Sequence, residues 1–332
     1  MQTSRFARCA WAWRCEARRR VMSRRHLVMR TVGAPLASRG AAVRARATRN
    51  DAHAHVWPSV TDYAYAPEMI PPCAGDVDAL LRAMDAASIA RTMLVQPINV
   101  GFEHAYVREA VRAHPRRFVG CALANPSAGR DGVDALRALL GDGKTFRAAR
   151  FNPALWPARA SMDDDVGREM FSLCGDVGAV VGFMCFHGLR ARREGDPRTS
   201  VEAIRNLCEA YPKTKVLIDH FGFCKGVEDE SFGDLLALSA FENVMVKCSA
   251  HFRVRTSEDS TRAQLEALLE AYGANRLMWG SDFPFVTMED GGYDGAAGII
   301  PSQRERVGTL ASDAAFDAVL GGTFDALFPL ET

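Results

Sequence analysis

The sequence lacks two features, one typical of zinc-cluster proteins and one typical of membrane proteins. It has no C-x-x-C pair, and its apolar runs stay short of the roughly 18 residues that a membrane helix needs. The cysteines beyond the first 49 residues are scattered, and several lie inside apolar stretches, as buried free thiols do. We therefore expect neither a disulfide framework, nor an all-cysteine zinc cluster, nor a membrane span.

The first 49 residues almost lack acidic side chains. Thirteen arginines stand against one acidic residue, Glu16, with no lysine and no long apolar core of a secretory signal. This composition is typical of an organelle transit peptide. A nucleic-acid-binding arm is the alternative, but the rest of the chain is acidic and offers no basic patch to assist it. The segment Val43–Ala47 resembles a plastid processing site, so we predict a largely disordered transit peptide over 1–47 and favour the chloroplast over the mitochondrion.

From residue 50 onward, short apolar runs alternate with longer amphipathic segments. Eight such units predict a (β/α)₈ TIM barrel, in one domain over 48–332. The predicted strands lie near 50–56, 91–96, 117–123, 145–151, 179–186, 214–219, 243–248 and 275–280. A doubly wound sheet is the alternative, but it usually places a Gly-rich turn after its first strand, where this chain has His-x-His. We expect the last helix, 312–327, to pack outside the barrel, and 58–75 and 289–298 to be long loops over its mouth.

The first predicted strand carries alternating polar residues. Asp51, His53 and His55 are two apart, and in a regular strand such side chains point to one face. Two neutral imidazoles on one face form half of a site for a divalent metal.

Three other predicted strands end in polar residues. His187 follows the fifth strand, His220 the sixth and Asp282 the eighth. Since the carboxyl ends of barrel strands meet at the mouth where active sites form, we expect all of these side chains to converge on one site.

The motifs together resemble the amidohydrolase-related (amidohydrolase-2) family of TIM-barrel, metal-dependent hydrolases. The matching segments are Asp-Ala-His53-Ala-His55, Phe-His187, Ile-Asp-His220-Phe-Gly, Asn243-Val-Met-Val-Lys-Cys-Ser and Met-Trp-Gly-Ser-Asp282-Phe-Pro, within about residues 50 to 328.

The resemblance implies one divalent metal ion, with zinc favoured, held by His53, His55, His187 and Asp282. Three imidazoles and a carboxylate suit zinc with a position open for water, whose pKa the metal lowers from about 15.7 to about 7. Asp282 would accept the proton of the attacking water, and His220 would orient that water or hydrogen-bond the oxyanion.

The fourth predicted strand refines this expectation. It contains no lysine of the kind that binuclear relatives carbamylate, which favours one metal. Its Arg150 lies on one face with Phe146 and Ala148, where it could bind a carboxylate through two hydrogen bonds. The Arg-Phe-Asn-Pro segment resembles the dicarboxylate lactonase branch, in which this arginine binds substrate. Some lactonases of that branch work without metal, but they usually lack a histidine after strand five.

These residues predict a hydrolase that activates water to open a lactone or amide of a small carboxylated substrate. A metal-dependent non-oxidative decarboxylase of the same fold is one alternative, and a metal-independent lactonase is another. A non-catalytic barrel would be favoured by a missing ligand, and none is missing. We expect no nucleic-acid or membrane partner and leave a homo-oligomer open.

Overall fold

The computed structural model describes residues 48–330. The predicted transit peptide, 1–47, lies outside the described residues and stays a prediction. Among the described residues, no helix is long and apolar enough to cross a membrane.

The core of the molecule is an eight-stranded parallel barrel, as predicted. Neighbouring strands pair in chain order from β1 to β8. The barrel is closed by bonds between β1 and the segment after β8: the Asp282 amide donates to the His53 carbonyl at 2.8 Å, and Ala54 bridges Phe283. The strands are β1 Asn50–Ala54, β2 Arg91–Val95, β3 Phe118–Leu123, β4 Phe146–Phe151, β5 Val180–Phe183, β6 Val216–Ile218, β7 Val244–Ser249 and β8 Leu277–Gly280.

Helices cover the outside of the barrel. They are α1 Val77–Ala86, α2 Ala105–Ala113, α3 Arg130–Leu140, α4 Asp165–Asp176, α5 Ser200–Ala210, α6 Glu230–Ala237, α7 His251–Val254, α8 Glu258–Tyr272, α9 Gly292–Gln303, α10 Asp313–Asp317 and α11 Thr323–Leu327. The predicted Gly-rich loop 289–298 is mostly helix α9, which buries Tyr293, Ala297 and Ile300 on one face. A 3₁₀ turn, Gly308–Ala311, lies between α9 and α10.

Strand β1 departs from the regular alternation that its sequence predicts. Asp51 pairs with Thr92 and Ala54 with Leu94, so β1 has one extra residue and bulges. Ala52 consequently lies in the barrel interior, while Ala54 belongs to the outer core. The prediction that Asp51 shares a face with His53 and His55 is wrong, because the bulge turns its carboxylate away from the two imidazoles.

The C-terminal segment closes the amino-terminal end of the barrel. Phe324 and Phe328 pack against the inner cluster that includes Ala52 and Leu217. Nearby, Arg91 at the start of β2 pairs with Asp325 at 2.9 Å. This position differs from the expected packing outside the barrel, because the two aromatic rings cover apolar side chains at the open end of the inner layer.

Asp51 joins the first strand to the last. It is fully buried, and its carboxylate accepts hydrogen bonds from the Ser281 hydroxyl at 2.6 Å and the Tyr293 hydroxyl at 2.9 Å. The backbone amides of His53 and Ser281 also donate to it. Burial raises the pKa of Asp51 to about 6, and these hydrogen bonds limit the rise.

Tyr293→Phe tests this link through its pH dependence. The Tyr293 hydrogen bond lowers the pKa of Asp51, so its loss costs most where that carboxylate is ionised. We expect a loss of about 1–3 kcal/mol of unfolding free energy at pH 8. The loss should shrink at pH 5, below the folded pKa of about 6. Urea denaturation at both pH values measures it.

Tyr272→Phe is the matched control. The Tyr272 hydroxyl donates to the Leu235 carbonyl, which does not titrate. Removing this hydroxyl should lower the free energy of unfolding by the same amount at pH 5 and pH 8. Equal losses at both pH values for Tyr293→Phe would contradict the role given to Asp51.

Candidate active site

Four side chains converge at the carboxyl end of the barrel. His53 and His55 come from the end of β1, His220 follows β6, and Asp282 follows β8. The Nε2 atoms of the three histidines lie 3.8, 3.4 and 3.9 Å from Asp282 Oδ1, respectively. All four residues are buried. His53, His220 and Asp282 form a set whose ligand atoms could hold one metal ion.

Two members of this cluster have unusual backbone conformations. His220 has φ of 53° and Asp282 has φ of 63°, in the left-handed region that residues other than glycine seldom adopt. Such conformations cost of order 1–3 kcal/mol each and occur most often at functional sites. They turn both side chains toward the barrel axis immediately after their strands end.

Asp282 is paired through only one of its oxygens. Arg253 Nε donates to Oδ2 at 2.9 Å, whereas Oδ1 accepts no hydrogen bond from any residue within 48–330. Burial alone would raise the pKa of Asp282, but Arg253, and after it His220, hold that pKa well below its usual range. Asp282 therefore presents an ionised oxygen to three imidazoles.

His55 and His220 each make a hydrogen bond through Nδ1, so Nε2 of each ring remains available to bind a metal or a water. His55 Nδ1 lies 2.7 Å from the Val95 carbonyl, which can only accept, so the proton is assigned to Nδ1. His220 Nδ1 lies 2.8 Å from the Ser249 hydroxyl. Burial lowers the pKa of His220 to about 3, which keeps this ring neutral near pH 7.

A second carboxylate, Asp219, lies beneath the cluster. Lys247 Nζ is 3.0 Å from Asp219 Oδ1, and Arg150 Nε donates to Oδ2 at 3.1 Å. His53 Nδ1 lies 3.4 Å from the same Oδ1. Burial opposes the charge of Asp219, but Lys247, followed by His53 and Arg150, holds its pKa well below the usual range.

The distances allow two proton arrangements for His53. In one, Lys247 donates to Nδ1 at 3.3 Å and Nε2 donates to His55 Nε2 at 3.2 Å. In the other, Nδ1 carries the proton and donates to Asp219, which frees Nε2 to bind a metal. Burial lowers the pKa of His53 far below its usual value, so the ring is neutral in both arrangements.

The donor atoms fit a small divalent ion. Ligand atoms on a tetrahedral zinc ion lie about 3.3 Å from one another. The Nε2 atoms of His53 and His55 are 3.2 Å apart, and both lie within 3.8 Å of Asp282 Oδ1. A buried carboxylate oxygen without a hydrogen bond, facing these imidazoles, matches what a metal would complete.

His187 is not brought to this cluster, unlike the other three predicted ligands. Strand β5 ends at Phe183 rather than near residue 186, and the chain then turns. The His187 side chain is exposed, and its ring packs edge-on against Phe186. It lines a separate cavity of about 570 Å³ between the loops that follow β4 and β5.

Arg150 lies at the site, as predicted, and is buried. Its Nη2 atom has no hydrogen-bond partner among the described residues, although Nε is paired with Asp219. Arg150 also lines a small recess beside His55. With Lys247 and Arg253, it brings three positive charges against the two carboxylates, so the protein groups alone favour an anionic ligand.

Sequence reasoning gave no role to Asp219, Lys247 and Arg253. A signal existed for the first two: Asp219 directly precedes His220, and Lys247 is the one charged residue of the apolar strand β7. Arg253 gave no comparable signal, because it lies on the short helix α7 after that strand. His251, on the same helix, is buried and packs against Phe221.

The chain is similar in sequence to known proteins. A family model described as amidohydrolase matches residues 50–330. The 4-sulfomuconolactone hydrolase of Rhizobium radiobacter is 25% identical over 243 residues, covering 70% of this chain and 75% of that protein.

Solved structures share the fold. A Pseudomonas putida protein assigned as a 2-pyrone-4,6-dicarboxylic acid hydrolase is 26% identical with a TM-score of 0.60, covering 86% of this chain and 99% of that one. A Burkholderia multivorans amidohydrolase with bound zinc is 21% identical with a TM-score of 0.64, covering 86% and 100%. A dihydroxybenzoic acid decarboxylase of Polaromonas with bound manganese is 16% identical with a TM-score of 0.59, covering 85% and 97%.

Lys247→Met tests the buried ion pair beneath the cluster. The variant leaves Asp219 charged and buried without its nearest cation. Breaking a buried pair from one side costs about 3–5 kcal/mol, and we expect a loss of that size in urea denaturation at pH 7. The exposed Lys213→Met is the control, expected to change stability by about 0.5 kcal/mol or less. A loss below about 1 kcal/mol for Lys247→Met would contradict the assignment.

Proposed function

The chain belongs to the amidohydrolase family, and we propose that it opens a carboxylated lactone by adding water. The observation that carries the proposal is the unpaired oxygen of Asp282, ionised and surrounded by three imidazoles. Its relative in Rhizobium radiobacter is a lactone hydrolase, and the Pseudomonas putida neighbour is assigned to a lactone dicarboxylate. Both support a lactone as the class of substrate.

We propose His53, His55 and Asp282 as ligands of one divalent metal ion, with zinc favoured. When bound, such an ion supplies Lewis-acid activation of water and of the lactone carbonyl. Zinc and manganese in two structural neighbours support a metal in this fold without fixing its identity. The tautomer of His53 that donates to Asp219 is the one required for binding.

The residues of the chain supply the proton transfers of the reaction. Asp282 Oδ1 is placed to accept a proton from the attacking water, and Arg253 on the opposite oxygen keeps Asp282 ionised beforehand. His220 Nε2, 3.9 Å from Asp282, orients that water. As the ring C–O bond breaks, Asp282 returns the proton to the leaving oxygen. The products are a hydroxyl group and a new carboxylic acid, which releases its proton to solvent and becomes a carboxylate.

Arg150 holds the substrate in this proposal. Its Nη2 is a buried donor with no partner among residues 48–330, beside the recess that borders His55. A guanidinium nitrogen of this kind pairs well with a carboxylate. The carboxylate of the substrate would complete its hydrogen bonding and place the lactone carbonyl toward Asp282.

A metal-dependent decarboxylase is the second candidate. The Polaromonas neighbour of that activity shares the fold, and the same cationic groups would bind an aromatic carboxylate. The two reactions differ in their products, since hydrolysis releases acid and decarboxylation releases CO₂. Product analysis therefore separates them without reference to the ligand set.

The first test supplies the purified protein with γ- and δ-lactone carboxylates and with dihydroxybenzoates. We expect acid release from a lactone carboxylate in a pH-stat, with no CO₂ from the benzoates. Arg150→Met should raise KM for that lactone about 10- to 100-fold, as the loss of a charge-assisted hydrogen bond predicts. Its effect on the uncharged parent lactone should be small.

Lys144→Met, which changes an exposed residue before β4, is the control and should leave KM unchanged. CO₂ release from a benzoate without lactone opening would establish the decarboxylase instead. An equal effect of Arg150→Met on charged and uncharged lactones would remove Arg150 from substrate binding.

The second test measures metal content by plasma mass spectrometry. His53→Ala and Asp282→Ala should each lose most of the bound metal while keeping a folded circular dichroism spectrum. His187→Ala should keep about one equivalent per chain, because His187 lies outside the cluster. Metal loss in His187→Ala would restore it as the fourth ligand, and metal-free, active wild-type protein would favour the metal-independent lactonase.

A further inference from the structure

A large cavity lies beside the site. It lies between the loops that follow β4 and β5 and measures about 570 Å³. The recess beside His55 measures only about 10 Å³. A small lactone ring needs far less room than the larger cavity, which lies within the range of ordinary ligand pockets.

The cavity adjoins the recess beside His55. Asn152 and Met184 line both spaces. Asn152 follows Arg150 by two residues at the end of β4, and Met184 is the first residue after β5. A substrate whose carboxylate is held by Arg150 could therefore extend past these two side chains into the cavity.

The walls of the cavity are fixed without a ligand. Arg193, on the loop after β5, donates to the carbonyls of Trp156 and Ala160 on the loop after β4, and it pairs with Asp196. The buried Asp163 accepts hydrogen bonds from the side chains of the following residues: Ser161, Arg198 and Asn206. These bonds hold the two loops together, so the space is pre-formed.

Buried apolar side chains form much of the lining, with charged side chains beside them. Trp156, Met162, Met184 and Cys185 are buried and provide apolar surface. The charges of Arg193 and Arg198 are balanced within the walls by Asp196 and Asp163. Burial raises the pKa of the Cys185 thiol to about 12, so it stays uncharged at neutral pH.

We propose that the substrate is a lactone carboxylate with an apolar arm, alkyl or aryl, that occupies this cavity. The inference rests on the proposed function for the position of the ring. It differs from that function in assigning the specificity to the loops after β4 and β5, which carry none of the proton-transfer groups.

Calorimetry with non-hydrolysable analogues tests the arm directly. The probes are cyclopentanone carboxylates, in which carbon replaces the ring oxygen, either unsubstituted or carrying butyl or benzyl. We expect the substituted analogues to bind the wild-type protein at least about tenfold more tightly, since each buried methylene favours binding. Ala191→Trp, a change to a partly exposed residue that lines the cavity, should remove this preference and leave the bare analogue unaffected.

Ala138→Trp, on the exposed face of α3, is the matched control and should keep the preference. Equal binding of all analogues by the wild type would overturn the inference, as would a uniform loss in Ala191→Trp. Turnover of the matching lactones is measured separately. Arm-dependent binding without any lactone opening would leave the cavity assignment standing and overturn the proposed hydrolysis.

Discussion

The ionised carboxylate of Asp219 is buried, and its stability in the fold depends on the cations that surround it. It lies at the centre of the molecule, where Lys247 from β7, Arg150 from β4 and His53 from β1 meet it. Ionised groups leave water only when paired, because the cost of desolvation is several kcal/mol per ion. The need to pair the charge of Asp219 therefore favours the observed positions of these side chains, which lie at the active site.

Charge balance also connects the cluster around Asp282 with Asp219, which lies beneath it. Asp219 and Lys247 both lie within reach of His53 Nδ1, and the Nε2 atoms of His53 and His55 are 3.2 Å apart. Arg253 pairs with one oxygen of Asp282 and leaves the other for chemistry, whereas Asp219 is paired through both oxygens, with Lys247 on one and Arg150 on the other. Structures assigned as a hydrolase and as a decarboxylase share this fold.

The sequence was sufficient to predict the barrel, because eight apolar runs recur with amphipathic segments between them and polar residues end the strands. The clustering of His53, His55, His220 and Asp282 followed from the same rule. The orientation of Asp51 did not, because a bulge depends on register with β2, which alternation within one strand does not reveal. The place of His187 was not predicted because the apolar run in the sequence continues past Phe183, whereas strand β5 ends at that residue. Lys247 was overlooked because a single lysine acquires meaning only from the partners that folding brings to it.

The aromatic side chains that cover the amino-terminal end of the barrel bring together residues that are far apart in the chain. Phe324 and Phe328 complete the inner layer, and Gly321 packs so closely against Thr48 that a methyl group there would collide with its carbonyl. The first and last segments of the domain thus meet at one end. Closing the inner layer at this end therefore depends on contacts between residues far apart in the chain, not on local ones.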